Sequence, residues 1–500
     1  MTRVDQCELA GLSLRIVTLQ TSTQDSGSAL MSIATLESSI ASPPTTDRNT
    51  KRLLLVAYNF PPVGGAGVQR PVKWAKYLGR LGWDVTVLTT LNPSVPVRDE
   101  SLLAEVPADV AIVRARTWEP DYRVKQNLIS ASPDKRLGLV QQAISALRGV
   151  TRRCVKLALQ PDPQVLWNYH AIRAGAKVLR ERRHDAILVT APAYSSFFIG
   201  AALKRKFGLP LILDYRDEWD LSGKYLENAQ RDWISRIVQT RMQSRLLKSA
   251  DAVVATTELS TAALAEKLSA LRHHIPAHCI YNGFDADEFD SSKGSVSFAD
   301  TTVIDPPDAG TFRLVYTGTL WNLTDITPLV RGIEQLNATY PDLAARLEVV
   351  CVGRKTPEQL EALARLNATP TRLRLVDYCD HSAALQWMRS ANGLCLLLSD
   401  VPGANRVVPA KLFEYLAVRK DMLAICPPGE TADIVRRFFP RGHAAPGDLP
   451  VITRWRDTPI RNADVPSTAA NTDSCGLDEF SRENQTRRLV ELLNSLVAKG

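Results

Sequence analysis

The stretch NRVVPAKLFEYLAVRKDMLAI, residues 405–425, decides how the rest of the chain is read. Before it, the apolar run GLCLLLSD (393–400) is short enough for a buried strand and too short for a core helix. Pro409 suits the first turn of a helix, because its missing N–H would have no partner there. Lys411 and Glu414 are three apart and share one helix face, while Leu412, Phe413 and Leu416 cover an inward one. DMLAIC then reads as the next strand. The segment is therefore strand, loop, helix, strand, with Lys411 and Glu414 near a helix N-terminus at the carboxyl edge of a parallel sheet. Open α/β sheets bind ligands along that edge, where helix N-termini favour phosphate. Taken alone, the segment also fits an ordinary amphipathic helix carrying one surface ion pair.

Five hundred residues are too many for one core, so two or three domains are expected. A hydrophobic share of 45% with 23% charged residues is that of a soluble globular protein. The net charge of +8 points to anionic partners, and no block is basic enough to call for nucleic acid. The 8 cysteines are scattered without a CxxC pair, which suits reduced thiols in a cytosolic protein. No run reaches the roughly 18 to 20 apolar residues of a membrane span, and the N-terminus does not read as a signal peptide.

Working outward, residues 1–50 are rich in Ser, Thr, Ala and Asp and read as a disordered lead-in. KRLLLVAYNF (51–60) is a strand, followed by the glycine turn PPVGGAGVQR, a helix and the strand WDVTVLTT (83–90). Such a turn can present N–H groups to a phosphate. It is not a dinucleotide fingerprint, because Arg70 stands where the third glycine would be. Residues 91–170 are less regular. The part from Arg123 to Leu159 reads as helical and basic, a solvated face or a surface for anionic lipid. Strands at 184–192, 209–220, 251–257 and 278–285 alternate with helices at 195–208, 224–249 and 258–268. Arg216 and Asp217 follow the apolar part of LPLILDYRDEWD, where Arg216 can hold a phosphate and Asp217 a hydroxyl, or each can satisfy the other.

Residues 286–311 lack periodicity and read as an inter-domain linker. Strands at 312–318, 347–353 and 373–378 then alternate with helices at 325–338, 356–366 and 381–391. Residues 440–475 read as loop, and Leu489, Leu492, Leu493 and Leu496 form the stripe of a last amphipathic helix. Two consecutive βα arrays imply two doubly wound domains facing each other across a cleft. The boundaries fall at 51–285 and 312–475, with the final helix in 476–500.

NFPPVGGAGVQR, DYRDEW, IYNGFD, VYTGTL and KLFEYLA, in this order, resemble family 4 (group 1) glycosyltransferases of bacterial glycan biosynthesis, over roughly residues 51–500. The resemblance implies the GT-B fold: α/β, two Rossmann-like domains across a cleft, with the C-terminal helix crossing back to the first. It implies a nucleotide-sugar donor and a glycan or lipid-linked acceptor, and retention without a metal or other cofactor. The setting would be cytoplasmic, with peripheral contact with an anionic membrane and no nucleic acid. Glu414 matches the ribose-binding second glutamate of a Glu-x7-Glu signature. Gly64 and Gly65 match the glycine loop at the diphosphate; Gly318, followed by Thr319, opens the donor loop; Gly353 ends the next strand. The chain departs from the pattern in three places. Arg406 occupies the first glutamate's position, Thr319 and Leu323 stand near where relatives carry Arg and Lys, and Phe197 stands about where they carry His. Arg406, Lys411, Arg354 or Arg216 would then supply the missing positive charge. Lys411 is the best placed, being beside Glu414. The departures also fit a weak or inactive paralogue that binds nucleotide or glycan, and a sugar-nucleotide epimerase shares the fold.

Overall fold

Apolar runs of the first half form β1 (Lys51–Ala57), β2 (Trp83–Thr90), β3 (Ala111–Ala115), β4 (Ala186–Ala191), β5 (Leu211–Tyr215), β6 (Ala252–Ala255) and β7 (Ala277–Cys279). They pair in parallel in the order β3-β2-β1-β4-β5-β6-β7. A second parallel sheet, ordered β10-β9-β8-β11-β12-β13, follows. Its strands are β8 (Phe312–Thr317), β9 (Leu347–Val352), β10 (Arg372–Val376), β11 (Gly393–Leu397), β12 (Asp421–Ile425) and β13 (His443–Ala444). This computed structural model describes residues 50–122, 158–221, 233–289, 304–450, 453 and 476–499. Nearly all of the expected lead-in, most of the basic segment 123–159 and most of the linker and of 440–475 lie outside the described residues.

Leu53–Ala57 and Phe312–Thr317 are buried throughout because helices cover both faces of a parallel sheet, so these strands read as continuous apolar runs rather than alternations. The covering helices of the first half are α1 (Ala66–Arg80), α2 (Asn168–Glu181), α3 (Ser196–Phe207), α4 (Trp233–Ser249) and α5 (Glu258–Ala270). The second half contributes α6 (Thr327–Thr339), α7 (Pro341–Ala345), α8 (Pro357–Ala364), α9 (His381–Ser390), α10 (Lys411–Val418) and α11 (Glu430–Phe438). Chain direction across the sheets reverses between β1 and β4, and again between β8 and β11. Each reversal opens a crevice at the strands' carboxyl ends.

The last helix, α12 (Arg482–Val497), returns to the first half. Ser481 caps it, its side chain accepting from the Asn484 N–H at 3.2 Å. Leu489, Leu492, Leu493 and Leu496 then share one core with Leu53 and Leu55 of β1 and Val68 and Val72 of α1. Two Rossmann-like domains and a returning helix are thus the architecture that the motif order implied. Two strands escaped the sequence reading. β3 is an edge strand whose side chains are mostly half-buried, and β13 is two residues long, so neither shows a long apolar run. Helix α2 was missed too, lying across the end of the irregular stretch.

Leu493 is fully buried, so Leu493→Ala should cost about 2 to 5 kcal/mol by lost transfer and cavity formation. Urea unfolding should show a lower midpoint with an unchanged slope.

Candidate active site

A cavity of about 220 Å³ lies where the carboxyl edges of the two sheets meet. Gly65 and Gln69, from the turn and helix after β1, and Asp99 and Leu102, from the segment after β2, form one wall. The other wall comes from strand ends and helix starts of the second sheet: Thr317 and Gly318, Val352 and Gly353, Tyr378 to His381, and Ala410, Lys411 and Glu414. Arg482 of α12 completes it.

Helix α10 opens with turn bonds from the N–H of Leu412 to the Pro409 carbonyl (2.9 Å) and of Phe413 to that of Ala410 (3.2 Å). Leu412, Phe413, Tyr415 and Leu416 are buried beneath it, which turns Lys411 and Glu414 to the cavity. Their ion pair, the ordinary alternative for this helix, does not form. Lys411 Nζ instead donates to the Tyr316 hydroxyl at 2.8 Å, and that hydroxyl donates to the Thr319 carbonyl at 2.9 Å. Burial pushes the Lys411 ammonium down to about 8, partly offset by the Glu414 charge. A Cβ on Gly318 would stand 2.6 Å from Lys411 Nζ, and one on Gly353 only 2.5 Å from the Gly318 carbonyl oxygen. Both glycines have strongly positive φ, so only residues without a side chain let these two strand ends and the ammonium stack. The half-buried Glu414 carboxylate has no hydrogen-bond or ion-pair partner among the described residues.

His381, the first residue of α9, reaches Glu288 Oε2 at 3.1 Å. Although burial opposes its charge, the hydrogen bond and charge of Glu288 raise the imidazole to about 9. Glu288 is held down at about 2 against its own burial by the His381 bond and charge and by Lys73. Lys73 Nζ in turn meets Glu288 Oε1 at 2.6 Å, Asp285 Oδ2 at 2.7 Å and Glu105 Oε2 at 2.7 Å. The start of the expected linker is therefore an anchored charge cluster. Arg482 differs from these cations. Its backbone N–H donates to the Phe284 carbonyl at 2.8 Å, while its guanidinium, in a residue only 5% exposed, makes no hydrogen bond or ion pair among the described residues.

The family model for the Glycosyl transferase 4-like domain matches residues 64–283. That stretch, under half of the chain, is therefore similar to a glycosyl transferase 4-like domain. No curated protein matches the chain in sequence. Among solved structures, the chain is similar to Anabaena HepE in complex with UDP and glucose, with TM-score 0.54 and 14% identity over 89% of this chain and 100% of that one. It is also similar to the UDP-forming α,α-trehalose-phosphate synthase of Burkholderia vietnamiensis, with TM-score 0.57 and 14% identity over 89% and 100%. At these identities the likeness is one of fold, and that fold is GT-B.

Within the matched residues, Gly65 lines the cavity, and Gly64 stands one residue back, against Val97, Asp99 and Tyr378. Arg216 and Asp217 are not in the cavity wall. The Arg216 guanidinium holds the Gly67 carbonyl and lies 3.7 Å from the half-exposed Asp217. Phe197 is fully buried among Tyr194, Tyr215 and Trp219, so the histidine's place is filled by core. Arg70, at the position that broke the dinucleotide pattern, grips the buried Asp214 through Nε at 3.2 Å and Nη2 at 2.9 Å. Beyond this domain, Gly318, Lys411 and Glu414 come together in the wall, whereas Thr319 and Arg354 are exposed and outside it. Arg406 is engaged elsewhere, its Nη2 lying 3.2 Å from Glu218 Oε2 and its carbonyl accepting from Thr257 Oγ1 at 2.9 Å. Sequence reasoning overlooked His381 and Arg482. Each is a cation at the first position of a helix, where the dipole disfavours positive charge.

Raised above its ordinary value near 6.5, His381 contributes stability that is complete below that pH and is lost as pH rises through about 9. Glu288, lowered, contributes stability above its ordinary range and loses it as pH falls toward 2. The melting temperature of the wild type should therefore fall between pH 6.5 and 9. His381→Gln should melt lower at pH 6 and fall less over that interval.

Proposed function

We propose that the cavity binds a nucleotide sugar and that the protein transfers its sugar to a glycan or lipid-linked acceptor. The observation carrying this reading is the unpartnered Glu414 carboxylate, in one wall with Lys411, Gly318 and Gly353 and across from Gly65. A carboxylate accepts from two ribose hydroxyls at once, while Lys411 and backbone N–H groups near the glycines suit a diphosphate. HepE has been solved with UDP-glucose, which supports a uridine donor. In the reaction the bond from the anomeric carbon to the diphosphate oxygen breaks. The acceptor hydroxyl oxygen bonds to that carbon, and its proton passes to the departing phosphate. Positive groups stabilise the leaving charge in place of a metal or other cofactor, and attack by the hydroxyl on the face that the diphosphate leaves retains the anomer. Arg216, Asp217, Thr319, Arg354 and Arg406 then act at most through other residues.

The acceptor would meet the first domain. Contact with an anionic membrane would fall to the basic residues of 123–159, nearly all outside the described residues. Among the described residues no helix is long and apolar enough to cross a membrane. Phe197 in the core and the exposed Thr319 favour a second reading, a paralogue that binds nucleotide without turnover.

A thermal-shift panel of UDP, GDP, ADP and their sugars should single out one base by a raised melting temperature. Glu414→Ala should weaken that ligand by about 10- to 100-fold, as expected for losing hydrogen bonds to a charged group. Binding without any transfer or donor hydrolysis would favour the paralogue. Because Lys411 is cationic only below about 8, nucleotide affinity should decline from pH 7 to 9. Lys411→Met should bind more weakly at pH 7 and show a flatter profile.

A further inference from the structure

Three helices begin at the cavity, and each begins with a basic residue: α9 with His381, α10 with Lys411 and α12 with Arg482. A cation at a helix N-terminus works against the dipole, at about 0.3 to 1 kcal/mol in exposed cases. Three such choices bring three basic side chains to one cavity, beside the carboxylates of Asp99, Asp380 and Glu414. Two of the cations are occupied, His381 by Glu288 and Lys411 by the Tyr316 hydroxyl. Arg482 is not. The residue is 5% exposed and lines the cavity, and its guanidinium makes no hydrogen bond or ion pair among the described residues, the charges of Glu288, Glu414 and Asp285 acting on it from farther away. A guanidinium with so little exposed surface and no hydrogen-bonded anion would gain from an anion placed in the cavity.

We propose that Arg482, supplied by the C-terminal helix, grips the diphosphate of the donor in place of the cations missing from the loop after β8. The proposal rests on the donor-site reading. A guanidinium presents a planar fork to two phosphate oxygens at once, which an ammonium does not. The backbone of Arg482 is tied to Phe284, which packs in the second sheet's core, while the rest of its helix packs on β1 and α1, so Arg482 starts where the two halves meet. The device thus joins the two halves: the second sheet would hold the ribose through Glu414, and the returning helix would hold the diphosphate.

The test uses the full chain as wild type, Arg482→Met and Arg482→Lys, titrated with UDP, GDP and ADP, with their nucleosides and with inorganic pyrophosphate. Arg482→Met should weaken the preferred diphosphate and pyrophosphate about 10- to 100-fold, leave the nucleoside unchanged and melt no lower than wild type without ligand. Arg482→Lys should recover part of the loss. Undiminished diphosphate binding by Arg482→Met would overturn the proposal. So would equal loss of nucleoside and diphosphate with a lower melting temperature, which would make Arg482 structural. If the wild type binds pyrophosphate but neither nucleosides nor nucleoside diphosphates, the donor reading fails, and Arg482 stands as an anion site provided Arg482→Met abolishes that binding. If the wild type binds none of them, both readings fall.

Discussion

Burying the Lys73 ammonium alone would cost several kcal/mol, and three carboxylates from two separate segments prevent that. Glu105 comes from the excursion after β2, and Asp285 and Glu288 come from the crossing between the two halves. Asp285 also receives Lys76 Nζ at 2.7 Å and the Tyr77 hydroxyl at 2.5 Å, so its carboxylate stays far below the usual range despite complete burial. No member can move without leaving an unpaired buried charge behind. The crossing is therefore set by electrostatics as much as by packing. From Glu288 the constraint passes to His381 and so to the start of α9, one wall of the cavity.

A second fastening lies on the other flank. The Glu430 carboxylate accepts the N–H groups of Glu258 and Leu259, at 2.8 and 2.9 Å, and the Tyr281 hydroxyl at 2.7 Å. A residue of the second half thus satisfies orphan donors at the N-terminus of α5 in the first. Arg406, paired with Glu218, belongs to the same flank. Arg406 thus serves the contact between domains, and the cavity lies elsewhere.

Much of the fold was legible because parallel strands under helices must be apolar along their length. The runs at 51–57, 83–90 and 312–317 could hardly be anything else, and the leucine stripe of α12 announced a buried face. Short or half-exposed strands such as β13 and β3 carry no such mark. Within the site, Glu414, Lys411, Gly318 and Gly65 were legible because short motifs tie them to a strand end or a helix start. Arg216 and Arg354 carry the right charge near strand ends, but charge and a strand end do not say which way a side chain is held.

By itself, the sequence determined two parallel βα arrays, their order and the helix that carries Lys411 and Glu414, since these depend on local periodicity and turn chemistry. Only the tertiary structure decided that Lys411 lies under Gly318 rather than paired with Glu414, that Arg406 is spent between domains, and that Arg482 enters the cavity from far along the chain. Those outcomes depend on which buried charges find partners. That is a property of space, and spacing along the chain does not encode it.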